Sequence, residues 1–117
     1  MHNLKELKIW NKAIDLSTEV YRLTADFPKE EKYGLTSQIR RSAVSVPSNI
    51  AEGAGRNTNK EFNHFLGISN GSSYELQTQL IICRNLDLVD ARVDQILDQI
   101  DQIQKMIYSL QSKLTKD

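Results

Sequence analysis

The chain has 117 residues, a length that suits one domain with one buried core. Its fifteen lysines and arginines balance fifteen aspartates and glutamates, so no general attraction to polyanions follows, and the lone Cys83 excludes an intrachain disulfide and makes a reducing cytoplasm the default location. No run approaches the ~18 consecutive apolar residues of a membrane span, and the mixed polar start from Met1 to Glu6 lacks the pattern of a secretory signal.

The first helix is predicted from about Leu4 to Ala25. Leu7, Trp10, Ile14 and Tyr21 form one apolar row, and Ile9, Ala13, Leu16, Val20, Leu23 and Phe27 form a second. Both rows repeat at three and four residues, so together they cover nearly half the cylinder. That is wider than a narrow bundle seam. Two readings stand: a broad face serving a single core, or one flank, Ile9, Leu16 and Leu23, packing on another subunit. Phe27 and Pro28 close the helix, and Lys29 to Lys32 make the first loop.

The second helix is predicted from Thr36, read as an N-cap after Gly34, to Gly53. Leu35, Ile39, Ala43, Val46 and Ile50 form its buried stripe. Pro47 stands in the middle of it. An interior proline removes a backbone hydrogen bond and crowds the preceding turn, at a cost of ~3 kcal/mol. A kink near Pro47, accommodated by neighbouring helices, is therefore expected.

The third helix, about residues 58–85, opens on the capping-box pair Thr58 and Glu61 and continues through Phe62, Phe65, Leu66, Ser69, Leu76, Leu80 and Cys83. Small residues between Gly67 and Ser73 lower its propensity but let another helix approach closely. In the fourth, about residues 90–115, Val93, Ile96, Ile100, Ile103, Ile107, Leu110 and Leu114 alternate spacings of three and four. Aspartates near its start and lysines near its end match the helix dipole. No strand pattern competes anywhere. Short loops between helices of similar length imply an all-α, antiparallel up-down four-helix bundle formed by residues 1–117 as a single domain.

Three motifs mimic catalytic or metal chemistry. Gly67, Ser69 and Gly71 match the Gly-x-Ser-x-Gly of hydrolases, but no strand precedes them, and a nucleophile elbow needs the strand-to-helix turn. Glu61 and His64 resemble half of a di-iron site, which requires a second such pair and two further glutamates. Cys83 and the two histidines have no zinc-ligand spacing. No catalytic residue, metal or cofactor is expected, and no small-molecule substrate or membrane partner.

Four cations form the candidate binding site. Arg40 flanks the buried stripe of the second helix, and Arg41 shares an outer row with Ser37, Ser45 and Ser48; Arg56 and Lys60 surround the next loop. One reading is a small nucleic-acid or acidic-partner patch. The other is structural: Arg40 pairs with Glu75 across the bundle, and Arg56 with Glu52 one turn away. Residues 1–60 carry ten basic and seven acidic side chains against five and eight in residues 61–117, an asymmetry that suits helices pairing with each other. The patch has no interleaved aromatic.

The run Tyr33 to Gln38, Arg40-Arg41 and Val44 to Gly53 resembles the small four-helix bundles called 23S rRNA intervening-sequence proteins. Trp10, Val20-Tyr21 and Phe27-Pro28 fit upstream, and Phe62, Phe65-Leu66, Gly71-Ser72 and Glu75 to Leu80 fit downstream, so the likeness covers roughly residues 7 to 85. The resemblance implies a homopentamer of the same bundle fold and no established biochemical activity. It extends distantly to the accessory variability protein of diversity-generating retroelements, a basic pentamer that works with reverse transcriptase and nucleic acid. Arg40 and Arg41 match there, but the strong positive charge does not, and phosphate neutralisation supplies most of such affinity. Ser42 and Ser69 stand where the family often has alanine. The expectation is a non-enzymatic homo-oligomer associated with ribosomal RNA or another nucleic acid, or else a protein-interaction scaffold that contacts none.

Overall fold

The computed structural model describes residues 2–116. Its α-helices are α1 (Lys8–Thr24), α2 (Leu35–Ala54), α3 (Asn59–Asn85) and α4 (Arg92–Leu114), with no strand among the described residues. They lie side by side in a rod of 48 × 22 × 20 Å. Among the described residues no helix is long and apolar enough to cross a membrane.

Inter-helix hydrogen bonds give the directions. Ser17 reaches Ala43 and Arg40 reaches Thr24 between α1 and α2; Ser72 meets Ser45 and Ser69 reaches Val46 between α3 and α2. Gln104 meets Gln77 and Gln111 reaches Asn63 between α4 and α3, and Arg92 meets Asp26 where α4 begins beside the end of α1. In the three pairs with two such bonds the numbering rises along one helix as it falls along its neighbour.

Local chemistry sets the ends. Leu4–Glu6 is a 3₁₀ turn, and Leu7 is extended at φ −78°, ψ 109°, so α1 starts later than its apolar pattern suggests. Thr58 caps α3: its Oγ1 accepts from the Glu61 amide at 3.1 Å. Thr36 is not the cap of α2, which begins one residue earlier, at Leu35, after Gly34. The Thr36 side chain lies inside the first turn instead, with its Oγ1 buried and unpaired.

The core is one continuous cluster, running through Ile9, Ala13, Leu16, Val20 and Leu23 of α1 and the four residues Ile39, Ala43, Val46 and Ile50 of α2. Phe62, Leu66, Leu76, Leu80 and Cys83 join it from α3, and Val93, Ile96, Ile100, Ile103 and Ile107 from α4. Each large aliphatic side chain sealed in this way contributes about 1.5–3 kcal/mol. Ile9, Leu16 and Leu23, the flank expected to pack on another subunit, are therefore core residues of the single chain. That expectation is corrected: the row facing outward is the other one, with Ile14 and Tyr21 exposed and Trp10 half-buried.

Helix α2 runs without interruption through Pro47, which is itself buried. The missing amide of Pro47 would have bonded to the carbonyl of Ala43, one turn back. The Ser17 hydroxyl of α1 takes its place, donating to that carbonyl at 2.8 Å. From the opposite side the Ser69 hydroxyl of α3 donates to the Val46 carbonyl at 2.9 Å. Helices α2 and α3 approach closely at Gly53, where a Cβ would lie 2.8 Å from both Phe62 Cδ1 and Phe65 Cβ.

Candidate functional site

The four candidate cations do not form one patch. Arg40 turns toward α1. Its Nε donates to Thr24 Oγ1 at 2.9 Å, one Nη donates to the Tyr21 carbonyl at 3.2 Å, and the guanidinium lies 4.4 Å from the centroid of the Tyr21 ring. It does not pair with Glu75, as the structural reading expected; its partners are a hydroxyl, a carbonyl and an aromatic face. Those engage two of its five N–H donors and the face of the cation.

Arg41, one residue on, points the other way, into a polar cleft between α2 and α3 with Ser42, Ser45, Ser72, Glu75 and Gln79. Among the described residues it makes no hydrogen bond or ion pair. Arg56 binds Glu52 at 2.6 Å and lies 4.8 Å from the Phe65 ring centroid, so that expected pair is present. Lys60 stands exposed in the first turn of α3. Fifteen residues of helix and cap separate Arg41 from Arg56, about 22 Å at 1.5 Å per residue.

The remaining chemistry is structural. Ser69, the serine of the Gly-x-Ser-x-Gly match, is fully buried in mid-helix and committed to Val46. The Cys83 thiol is also fully buried, and its pKa is pushed up by that burial and, secondarily, by the Glu31 carboxylate. A raised pKa disfavours the thiolate, the reactive form. Among the described residues no three His, Cys, Asp or Glu side chains stand close enough to hold a metal ion.

An apolar groove was missed by sequence reasoning. A groove of about 530 Å³ runs between α1 and α2, lined by Trp10, Ile14, Tyr21, Val44, Pro47 and Ala51 with Ser17, Thr18 and Ser48. Ile14, Tyr21 and Val44 are 39%, 42% and 41% exposed. No carboxylate, histidine, cysteine or lysine enters it. The one available signal was the width of the apolar face on α1, which did not say which row faced outward.

Fold and side chains together define a small all-helical bundle whose buried polar groups mostly tie helix to helix and which carries an apolar groove between α1 and α2. The chain belongs to the 23S rRNA-intervening sequence protein family, whose family model matches residues 5–109. The fold is similar to the crystal structure of a protein of unknown function of the S23 ribosomal protein family from Bacteroides thetaiotaomicron. The TM-score is 0.82 at 20% identity, covering 89% of this chain and 95% of that one. No curated protein matches it.

Proposed function

We propose that this protein is a homo-oligomeric interaction scaffold, assembling through the α1–α2 groove and acting by binding rather than catalysis. The observation that carries the reading is the strip from Trp10 to Tyr21 beside Val44. It spans about three helical turns and leaves bulky apolar side chains in water. A contiguous apolar patch on a small protein marks an interaction surface. A second copy is the occupant, because the resemblance implies a pentamer and this face, unlike the Ile9 row, is free to meet one. The groove is concave, so two such grooves cannot fill each other; a head-to-tail contact that closes into a ring suits it better than a two-fold one. The reading of Arg40 and Arg41 as a joint nucleic-acid patch loses support, since Arg40 is committed to α1 and the two diverge.

Light scattering coupled to size exclusion tests this. The wild type is expected at a multiple of 13.4 kDa. The Ile14→Asp/Val44→Asp variant is expected as a monomer with unchanged helix content. A monomeric wild type, or a variant that assembles as before, overturns the proposal.

A further inference from the structure

The balanced charge of the chain is segregated along the rod. The up-down order brings the start of α1, the α2–α3 connection and the end of α4 to one end. Seven of the nine lysines lie in that half: Lys105 and the six residues Lys5, Lys8, Lys12, Lys60, Lys113 and Lys116. Lys105 pairs with Asp101 at 3.0 Å, whereas none of the other six has a carboxylate within ion-pair distance among the described residues.

The opposite half holds most of the acids, and four of its seven cations are bound, Lys29, Lys32 and Arg41 being the other three. Arg22, Arg84 and Arg92 are bound to Glu19, Asp94 and the pair Asp26 and Asp90, while Arg40 is bound to Thr24. Neutral composition therefore conceals one end with an excess of ammonium groups and another with an excess of carboxylates. Each exposed ammonium is a mobile point charge, suited to a phosphate diester and indifferent to base identity. Lys8 and Lys113 converge on one groove between α1 and α4. Tyr108, 73% exposed and one turn after Lys105, supplies a stacking surface.

We propose that the lysine-rich end of the bundle contacts the phosphate backbone of a nucleic acid. This stands independently of self-assembly through the α1–α2 groove, which lies along the side of the rod. The partner class follows from the repeated, unpaired positive charge and the exposed aromatic. Contacts of this kind are electrostatic, so affinity falls steeply with salt.

Fluorescence anisotropy with a labelled RNA hairpin and a labelled DNA duplex, from about 50 to 200 mM salt, tests it. Lys8→Glu/Lys113→Glu/Lys116→Glu is compared with Lys29→Glu/Lys32→Glu/Arg41→Glu, an equal charge change at the opposite end. The first variant is expected to lose about tenfold or more in affinity and to flatten the salt slope by about 0.9 per lost contact to duplex DNA. The second is expected to stay within about twofold of wild type. RNA or DNA showing this end-specific loss supports the proposal, and the arm that binds more tightly names the nucleic acid. Equal losses in both variants, no wild-type binding at the lowest salt, or polyglutamate competing as well as the RNA at equal charge would each overturn it.

Discussion

The Ser17 hydroxyl of α1 donates to the Ala43 carbonyl of α2 at 2.8 Å, supplying the hydrogen bond that Pro47 withholds. The same hydroxyl lies 3.0 Å from the carbonyl of Ala13 in its own helix, the usual acceptor for a mid-helix serine. Having one proton, it serves the carbonyl without another partner. Ser17 is 8% exposed, so water is a poor substitute.

Ser17→Ala is therefore expected to cost about 1–3 kcal/mol, the penalty for stranding a buried acceptor. Pro47→Ala restores the intrahelical donor, and in that background the serine loses most of its value. A double-mutant cycle by urea denaturation should give a coupling of about 1 kcal/mol or more between the two sites. Additive effects would show that Ser17 does not compensate for Pro47.

Glycines in two places should respond with opposite signs. A Cβ at Gly53 would stand 2.8 Å from Phe62 Cδ1 and Phe65 Cβ, so Gly53→Ala must push α2 from α3 and should cost about 1–3 kcal/mol. Gly71 has nothing within 4 Å of a built Cβ. There alanine should stabilise by up to about 1 kcal/mol through helix propensity alone, read as a raised thermal midpoint.

The adjacent arginines should also separate. Arg40→Ala removes two hydrogen bonds and the stacking on Tyr21 and is expected to destabilise by about 1–2 kcal/mol. Arg41→Ala removes no bonded partner and should fall within about 0.5 kcal/mol of wild type. Equal losses in denaturant midpoint would contradict the assignment of Arg40 as a strut and Arg41 as a free group.

Acid should reach the start of α4. Asp90 accepts from both the Arg92 side chain and the Arg92 amide, and these bonds hold its pKa below the ordinary carboxylate value. A carboxyl with a lowered folded pKa contributes stability above its unfolded pKa, about 3.9, and loses it as pH falls through the folded value. Asp90→Asn should therefore flatten the stability profile below about pH 4 while leaving its shape at neutral pH unchanged.

Much of the architecture was legible in periodicity. The heptad of α4, the Thr58 cap and the stripe Leu35, Ile39, Ala43, Val46 and Ile50 follow from spacing, because core burial and helical pitch leave little choice, although Leu35, Leu110 and Leu114 are only half-buried. The orientation of α1 did not follow. Its two apolar rows have the same period, and only the positions of α2 and α4 decide that Ile9 turns inward while Ile14 turns outward. Arg40 was misread for a related reason. Charge complementarity suggested Glu75, but the nearest acceptors were a threonine hydroxyl and a carbonyl on α1, which carry no signature in sequence.

Serines from both flanks donate to carbonyls of α2 within one turn, at Ala43 and Val46, and this has a consequence for how the chain folds. A peptide covering residues 35–54 alone lacks both donors and must carry the broken turn at Pro47 unaided, so its helix should be poorly formed in water. The proline turn becomes favourable only as α1 and α3 arrive together. In native-state hydrogen exchange, amides of the central parts of these three helices should accordingly open as one cooperative unit, with α4 free to show its own protection.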